Sequence, residues 1–238
     1  MRTEWPAMVG DEPDRERLWA AAEDLDSYRV AELIGAAVAR WGAPAVWERL
    51  CRPLLTGVPD GGAESVAVEH ALSEGVRAGF DRVARGDPDR GAGGLPSQGI
   101  LLTAAEHEGH TLALHALAAA LRERGHGNLL LGAQLPWTAL ADAVRRVRPH
   151  TVVVWSHGRH AGATRQLGSL AGAYRWARVF GAGPGWPTSV PAPAGRLRSL
   201  AAALAACRPP GAEAGSGGGS CDEDHIRYET VPYRQAEP

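Results

Sequence analysis

Strand-length apolar runs alternate with helical segments from residue 100 onward, and this alternation constrains the fold more than any other feature. Four runs have the length and composition of buried strands, at 100–104, 128–131, 151–155 and 178–180. Three other segments have helical periodicity, at 111–124, 137–146 and 163–174. The alternation predicts right-handed βαβ units, and therefore an α/β domain with a doubly wound, Rossmann-like parallel sheet.

A segment without periodicity precedes this region. Residues 87–98 are dense in Gly, Pro and Asp, a composition typical of linkers that bury little apolar surface. With 238 residues, the chain is long enough for two domains that each have a core. We therefore predict a helical domain at 14–86, a linker at 87–98 and the α/β domain at 99–208.

Helical periodicity extends through the first predicted domain and is broken at 24–27, 42–44 and 57–62. The breaks predict four helices. Apolar residues share one face of the second helix and one face of the third: Val30, Leu33, Ile34, Ala37, Val38 and Trp41, then Val46, Trp47, Leu50 and Leu54. Faces of this kind are typical of a four-helix bundle.

Composition restricts the classes of function. The formal net charge is -2 and the pI about 6.5, so we expect no direct DNA binding. No apolar run approaches the roughly 18 residues that span a bilayer, and residues 1–14 do not resemble a signal peptide. Cys51, Cys207 and Cys221 fit neither a disulfide framework nor a paired-cysteine metal site. These features predict a cytoplasmic protein that is not bound to a membrane.

The last segment, 209–238, is of low complexity and is predicted to be disordered. Cys221 and His225 flank an acidic cluster within it. Two interpretations remain for this cluster: a weak metal or partner site, and a solvated tail.

Two acids and two histidines crowd together directly after the first predicted strand: Glu106, His107, Glu108 and His110. Ligands of doubly wound sheets bind beyond the carboxyl ends of the strands, so this cluster lies at the edge where a ligand is expected. Taken alone, His110 fits a capping or surface group as well as a metal ligand. Glu106 and His107 are interpreted as solvated loop residues.

The order of several residues resembles that of cobalamin-binding domains. Glu108, His110 and Ala113 follow the spacing of that family's Asp/Glu-x-His-x-x-Gly motif, Ser156 ends the third strand, and Gly181 and Gly183 end the fourth. The resemblance covers about 24–208. It extends to the cobalamin-binding part of MerR-type regulators, a group that includes light sensors.

This resemblance implies a cofactor and its ligands. The cofactor would be cobalamin, as adenosylcobalamin or methylcobalamin, with His110 as the lower axial ligand of cobalt. Glu108 is suited to accept a hydrogen bond from the other ring nitrogen, which orients a ligating imidazole and raises its basicity. Ser156, Gly181 and Gly183 would leave room for the displaced nucleotide tail, and Ala113 stands where the family has glycine.

A second pair of residues matches the light-sensing relatives. Glu69 and His70 correspond to a Glu-His pair on the bundle that faces the upper side of the corrin, so the resemblance implies that His70 can become an upper axial ligand. A solvated stripe on the fourth helix is the alternative. These relatives carry a tryptophan ten residues before the pair, where this chain has Pro59. Because only some 20 residues precede the bundle, we expect no MerR-type DNA-binding head.

Other residues in the α/β region have simpler interpretations. His157 and His160 follow the third strand at a spacing compatible with zinc, but no cysteine or carboxylate partner is evident, so we favour a loop near the corrin rim. His115 is expected to be packed or exposed. Trp186 is close enough to the expected pocket to line it.

The leading functional hypothesis is a cobalamin-binding sensor or regulator that acts through a partner protein. The partner would be a transcription regulator or a methyltransferase. Whether the chain is itself an enzyme stays open, with a non-enzymatic role favoured. Two alternatives remain: a corrinoid carrier subunit for methyl transfer, and a degenerate module that serves only protein interaction. Homo-oligomer formation is compatible with all three.

Overall fold

The structure is a computed structural model of the full chain, and it describes residues 12–58, 62–85, 99–160 and 162–208. The described residues fall into two compact units. The helical unit comprises residues from Met1–Gly93 together with His115–Gly125, and the α/β unit comprises residues from Gly94–Leu114 and His126–Pro238. The predicted linker at 87–98 and the predicted tail at 209–238 lie outside the described residues.

The helical unit contains the predicted helices. They are α1 (Glu12–Glu23), α2 (Ser27–Trp41), α3 (Ala43–Val46), α4 (Arg52–Thr56) and α5 (Gly62–Arg85). A π-helical turn, Trp47–Cys51, joins α3 to α4, so the third predicted helix is one helical segment with a widened centre. The apolar faces predicted for the second and third helices supply buried residues, among them Ile34 and Leu50, which are fully buried.

Pro53 accounts for the hydrogen-bond partner of Arg15, a buried arginine of this unit. A proline in a helix has no N–H, so the carbonyl four residues earlier, that of Arg49, loses its helical donor. The Arg15 guanidinium of α1 donates to that carbonyl from Nε at 3.0 Å and from Nη2 at 2.7 Å. Arg15 is only 6% exposed. The hydrogen bonds provide a partner both for the buried cation and for the carbonyl.

Two glycines allow α5 to pack closely against α2. A Cβ atom on Gly75 would lie 2.4 Å from Cβ of Val30, and one on Gly79 would lie 2.6 Å from Cγ2 of Ile34. The glycines are four residues apart and therefore share one face of α5. Larger side chains on this face would force the two helices apart.

The helix α6 (Leu112–Glu123) belongs to the helical unit from His115 onward. His115, 8% exposed, makes a 2.6 Å hydrogen bond through Nδ1 to Oδ1 of Asp81 in α5. Near the other end of α6, Oε1 of Glu123 accepts a 2.8 Å hydrogen bond from the Ala43 amide. Of the two expected positions for His115, packed or exposed, the structure has the packed one, and α6 is held to this unit near both ends.

The α/β unit is built on a five-stranded parallel sheet. Its strands are β1 (Ile100–Ala104), β2 (Leu129–Leu130), β3 (Thr151–Trp155), β4 (Arg178–Ala182) and β5 (Gly195–Leu197), in the order β2-β1-β3-β4-β5. The remaining helices are α7 (Trp137–Val147), α8 (Ala163–Ala173) and α9 (Leu200–Ala206). The strand order reverses between β1 and β3, which is the order of a doubly wound sheet.

Every strand and helix predicted within 99–208 is present, and no end differs from the predicted one by more than two residues. The sequence analysis did not predict β5 or α9. The strand β5 has three residues and lies at the edge of the sheet, where it pairs with β4 from Phe180 to Ala182. The helix α9 is short, and its N-cap Ser199 accepts a hydrogen bond from the Ala202 amide.

Within the described residues, no helix combines the length and the apolar character needed to cross a membrane.

Candidate functional site

Two loops meet where the strand order of the α/β unit reverses. One follows β1 and contains Glu108 and His110, and the other follows β3 and contains Ser156, His157 and His160. The strands β1 and β3 are paired in register along their whole length, so the two loops leave the same edge of the sheet side by side. In folds of this order, a ligand binds at this point.

Glu108 connects the two loops. Its Oε1 atom accepts hydrogen bonds from the His110 amide at 2.8 Å and from His110 Nδ1 at 2.6 Å. Its Oε2 atom accepts from the amides of His157 at 2.6 Å and Gly158 at 3.0 Å, and contacts His160 Nε2 at 3.1 Å. The residue is 1% exposed. All five contacts come from one short stretch of each loop.

This arrangement keeps Glu108 ionised. Burial raises the pKa of the carboxyl group, but the hydrogen bonds from the His110 side chain and amide, from Gly158 and from His160 outweigh burial and hold the pKa well below its usual range. Because an ionised carboxylate can only accept, His110 Nδ1 and His160 Nε2 each carry the proton in these contacts.

The backbone of the first loop turns Glu108 inward. The Ala105 amide donates to the Trp155 carbonyl at 2.8 Å, which extends the β1–β3 pairing by one residue. The Glu108 amide then donates to the Ala105 carbonyl at 3.0 Å, closing a turn in which His107 has φ = 67°. His107 is exposed and Glu106 half-buried at this turn. His107 is therefore an exposed residue of the loop, as predicted for a solvated position, and no hydrogen bond joins its side chain to Glu108.

His110 is exposed at the surface of the cluster, as is His157. Its side chain is 49% exposed, and its ring lies 4.8 Å from the His157 ring, with a 41° angle between the planes. Since Nδ1 is hydrogen-bonded to Glu108, a metal ion would be coordinated through Nε2. A carboxylate on one ring nitrogen and a metal on the other is the usual arrangement of a ligating histidine.

Ser156 and the two predicted glycines lie at the same edge of the sheet. Ser156 is 2% exposed; its hydroxyl donates to the Gly158 carbonyl at 2.7 Å, and its amide to the Ala182 carbonyl at 2.9 Å. The chain's own atoms fill the space beside the glycines. A Cβ atom on Gly181 would lie 3.0 Å from both Leu167 and Trp186, and one on Gly183 would lie 2.4 Å from the Ser156 carbonyl oxygen. Internal packing is therefore sufficient to explain both glycines.

A cavity of about 210 Å³ opens beside Ser156. It is lined by Ser156, Arg159, His160, Ala163, Thr164, Gly185, Trp186 and Pro187. Trp186 is 4% exposed, and its indole N–H donates to the Val154 carbonyl at 3.0 Å. The tryptophan therefore forms a fixed apolar wall, and the rest of the lining is partly polar.

The remaining predicted site residues lie on helices. Ala113 is half-buried in the first turn of α6. In α5, Glu69 is half-buried and His70 exposed, and within the described part of the chain neither makes a hydrogen bond or an ion pair. Pro59, at the position of the family's tryptophan, lies outside the described residues.

The sequence analysis missed the role of the second loop. His160 and the amides of His157 and Gly158 all bind Glu108, a contact that the prediction of a loop near the corrin rim does not include. The sequence feature that could have indicated this contact is a pair of predicted parallel strands, β1 and β3, that are each followed by histidines. Within the described ranges, no group of three or more His, Cys, Asp or Glu side chains is arranged to hold a metal ion.

Comparison with known proteins gives structural neighbours only. No protein-family model and no curated protein matches the sequence. The solved structure of the Methanosarcina barkeri monomethylamine corrinoid protein is similar, with a TM-score of 0.56 and 12% identity, over 82% of this chain and 97% of that one. This chain therefore has the Rossmann-like fold of a corrinoid protein with a helical N-terminal part, which confirms the predicted fold class.

Two other solved structures align at lower TM-scores. A novel cobalamin-binding protein from Desulfitobacterium hafniense DCB-2 has a TM-score of 0.40 and 17% identity, over 82% of this chain and 97% of that one. The methanol:cobalamin methyltransferase complex MtaBC from Methanosarcina barkeri has a TM-score of 0.35 and 13% identity, over 77% of this chain and 76% of that chain. Superpositions at this level support no further inference.

Proposed function

We propose that this chain binds cobalamin with His110 as the lower axial ligand of cobalt. The observation that carries the proposal is the 2.6 Å hydrogen bond between His110 Nδ1 and the buried Glu108 carboxylate. It leaves Nε2 as the coordinating nitrogen of a half-exposed imidazole. Imidazole nitrogen is a suitable ligand for cobalt, and a carboxylate on the other nitrogen increases its basicity.

The protein holds this imidazole in place before any ligand arrives. Glu108 is itself fixed by the amides of His157 and Gly158, so the orientation of the His110 ring depends on both loops. Cobalamin would supply a cobalt–carbon bond whose upper group can be exchanged or released by light. The cavity beside Ser156 is the proposed place for part of the displaced nucleotide tail. Gly181, Gly183 and Ala113 belong to the same unit, but they are not among the residues that line this cavity.

The function proposed for the bound form is that of a sensor or regulator acting through a partner protein. Support comes from the Glu69-His70 pair of α5, which matches the pair in MerR-type regulators. In this proposal, residues 99–208 would hold the cofactor, and residues 14–86 would respond to a change in its upper group. His70 of α5 is the residue that would supply a second imidazole to cobalt. Adenosylcobalamin or methylcobalamin would be the form bound.

A corrinoid carrier for methyl transfer is the second candidate. One observation favours it: the corrinoid protein of Methanosarcina barkeri shares the fold over 97% of its length. A carrier would present a methyl group to a methyltransferase partner, and it would bind cobalamin through the same histidine. Both candidates therefore use His110 as the cobalt ligand. They differ in the function of the upper face of the bound cobalamin.

Equilibrium binding tests the shared part. The purified chain should bind adenosylcobalamin and methylcobalamin, and His110→Ala should remove the spectral signature of a histidine-ligated cobalt. Glu108→Gln should weaken binding by about 10- to 100-fold, the usual cost of losing a hydrogen-bond partner of a metal ligand. His107→Ala, in the same loop, is the matched control and should bind normally. Equal affinity and spectra in the wild type and His110→Ala would refute the proposal.

Hydrogen exchange separates the two candidates. For a light-responsive regulator, illumination of the adenosylcobalamin complex should change the exchange rates of the amides in α5, which carries His70. For a carrier, exchange in α5 should be the same before and after illumination.

A further inference from the structure

Positive charge is concentrated in residues 126–208, although the chain as a whole is nearly neutral. Residues 126–208 contain ten arginines and one acid, Asp142. The following segment, 209–238, contains six acids and two arginines. The net charge of -2 conceals this asymmetry, and an uneven charge distribution of this kind indicates a charged partner.

Five of these arginines lie near the amino ends of β3 and β4, at the edge of the sheet opposite Glu108. Both α7 and α8 end at this edge because each leads into the strand that follows it. We define the arginine rim as Arg145, Arg146, Arg148, Arg175 and Arg178 together with Trp176. All five arginines of the rim are exposed.

Aromatic contacts hold the rim together. The Arg148 guanidinium lies 4.8 Å from the centre of the Trp176 ring, and Trp176 packs edge-on against Tyr174 at 5.8 Å. The Tyr174 hydroxyl donates to the Ala141 carbonyl at 2.9 Å, which joins the carboxyl end of α8 to the middle of α7. Trp176 nevertheless remains 43% exposed, which is unusual for so large a side chain.

The rim carries more cations than its acid can neutralise. Asp142 forms ion pairs with both Arg145 and Arg146. Arg175 has no hydrogen bond or ion pair to any residue that the structure describes. Favourable interaction with the carboxyl end of α7 accounts for Arg145 and Arg146, but it does not account for Arg175 or for an exposed tryptophan between the arginines. The rim therefore has the composition of a docking surface for an acidic and aromatic segment.

We propose that the acidic segment 222–229 of the same chain docks on the arginine rim. It contains Asp222, Glu223, Asp224 and Glu229 for the arginines, and Ile226 and Tyr228 for the exposed face of Trp176. The chain reaches this segment from the rim itself, because the Arg208 carbonyl accepts a 2.7 Å hydrogen bond from Arg178.

Segment 222–229 is joined to the rim by the same chain, so its docking is more favourable than the docking of a free partner. Asp222 is 14 residues beyond Arg208, and a flexible chain of that length spans about 20 Å on average. A short tether of this kind gives an effective concentration of the order of millimolar. Single exposed ion pairs are weak, so the docking depends on several charges acting together and is sensitive to salt. While docked, the segment also keeps nucleic-acid phosphates from the rim.

Fluorescence of a bimane label tests this proposal on the full chain, because tryptophan quenches bimane on contact. Cys221 is the labelling point, since Cys51 and Cys207 are both buried, and burial raises the pKa of Cys207 to about 12 despite the opposing charge of Arg178. Emission should be low at about 20 mM salt and rise at least about twofold at about 500 mM salt. Trp176→Phe should give the high emission at both salt concentrations.

Charge variants complete the test. The triple change Asp222→Asn, Glu223→Gln, Asp224→Asn and the double change Arg146→Gln, Arg175→Gln should each raise emission at low salt to the high-salt level. Arg165→Gln, which removes an exposed arginine of α8 outside the rim, is the matched control and should leave emission low. Emission that is unaffected by salt, by Trp176→Phe and by both charge variants would overturn the proposal. Tight duplex-DNA binding by the full chain at about 150 mM salt, lost in the rim variant, would overturn it as well.

Discussion

Oε1 of Glu108 accepts two hydrogen bonds from His110, one from its amide at 2.8 Å and one from Nδ1 at 2.6 Å. Both the backbone and the ring of the histidine are therefore fixed by one oxygen atom. The other oxygen atom binds the loop after β3. Glu108 consequently has two functions that can be separated by experiment: it stabilises the junction of the two loops, and it orients His110.

The first prediction concerns the stabilising function. Glu108→Gln keeps the size of the side chain but places an amide group among donors, and it should reduce the free energy of unfolding by about 2–4 kcal/mol in urea titrations. Glu106→Gln, two residues earlier and half-buried, should change it by less than about 0.5 kcal/mol. Similar effects of the two changes would show that the Glu108 contacts contribute little.

The pH dependence of this difference is the second prediction. The pKa of Glu108 is lower in the folded protein than in the unfolded chain, so its stabilisation is present above the unfolded pKa of about 4.3 and is lost as the pH falls toward the folded value. The stability difference between the wild type and Glu108→Gln should therefore shrink below about pH 5. A difference that stays constant down to pH 3 would contradict the assignment.

The third prediction concerns glycines at the sheet edge. Gly183 has φ = 99°, and an added Cβ atom would lie 2.4 Å from the Ser156 carbonyl oxygen, so Gly183→Ala should destabilise the protein by more than about 1 kcal/mol. Gly172 in α8 has no neighbour within 4 Å of an added Cβ atom, and Gly172→Ala should be stabilising by about 0.5–1 kcal/mol. Thermal unfolding of both variants measures the contrast. Equal effects would mean that the β3 and β4 loops do not pack this closely.

The fold could be predicted from the sequence wherever packing imposes a periodicity. The strand β3 is one continuous apolar run because helices cover both faces of a parallel sheet, and this pattern is visible without a structure. The strand β5 has only three residues at an edge, too few to establish a pattern. The guanidinium of Arg196 in β5 also donates to backbone carbonyls, including that of Pro187 at 3.3 Å. A contact between residues in different local segments leaves no periodic pattern in the sequence.

The site was predictable only in part, for a similar reason. Glu108 and His110 are two residues apart, so their chemistry is readable from the sequence. The contacts of Glu108 with His157, Gly158 and His160 join positions about fifty residues apart and depend on the parallel pairing of β1 with β3. The π-helical turn at Trp47–Cys51 also went unpredicted, although Pro53 indicated that the helix could not be regular.

The fourth prediction tests the upper face and rests on the proposed cofactor. Imidazole binds cobalt well, so release of the upper group by light should allow His70 to become an axial ligand. Illumination of the adenosylcobalamin complex should therefore give products with different visible spectra in the wild type and His70→Ala, whereas His107→Ala should match the wild type. Identical products in all three proteins would exclude His70 while leaving His110 unaffected.

Electron paramagnetic resonance of bound cobalt(II) cobinamide tests the central claim most directly. Cobinamide lacks the nucleotide base, so an axial nitrogen can come only from the protein. The spectrum of the complex should show threefold splitting from one axial nitrogen, and labelling the protein with nitrogen-15 should change it to twofold splitting. His110→Ala should abolish the splitting, and His107→Ala should keep it. Splitting that persists in His110→Ala, or that is absent from the wild-type complex, would contradict the assignment of His110 as the cobalt ligand.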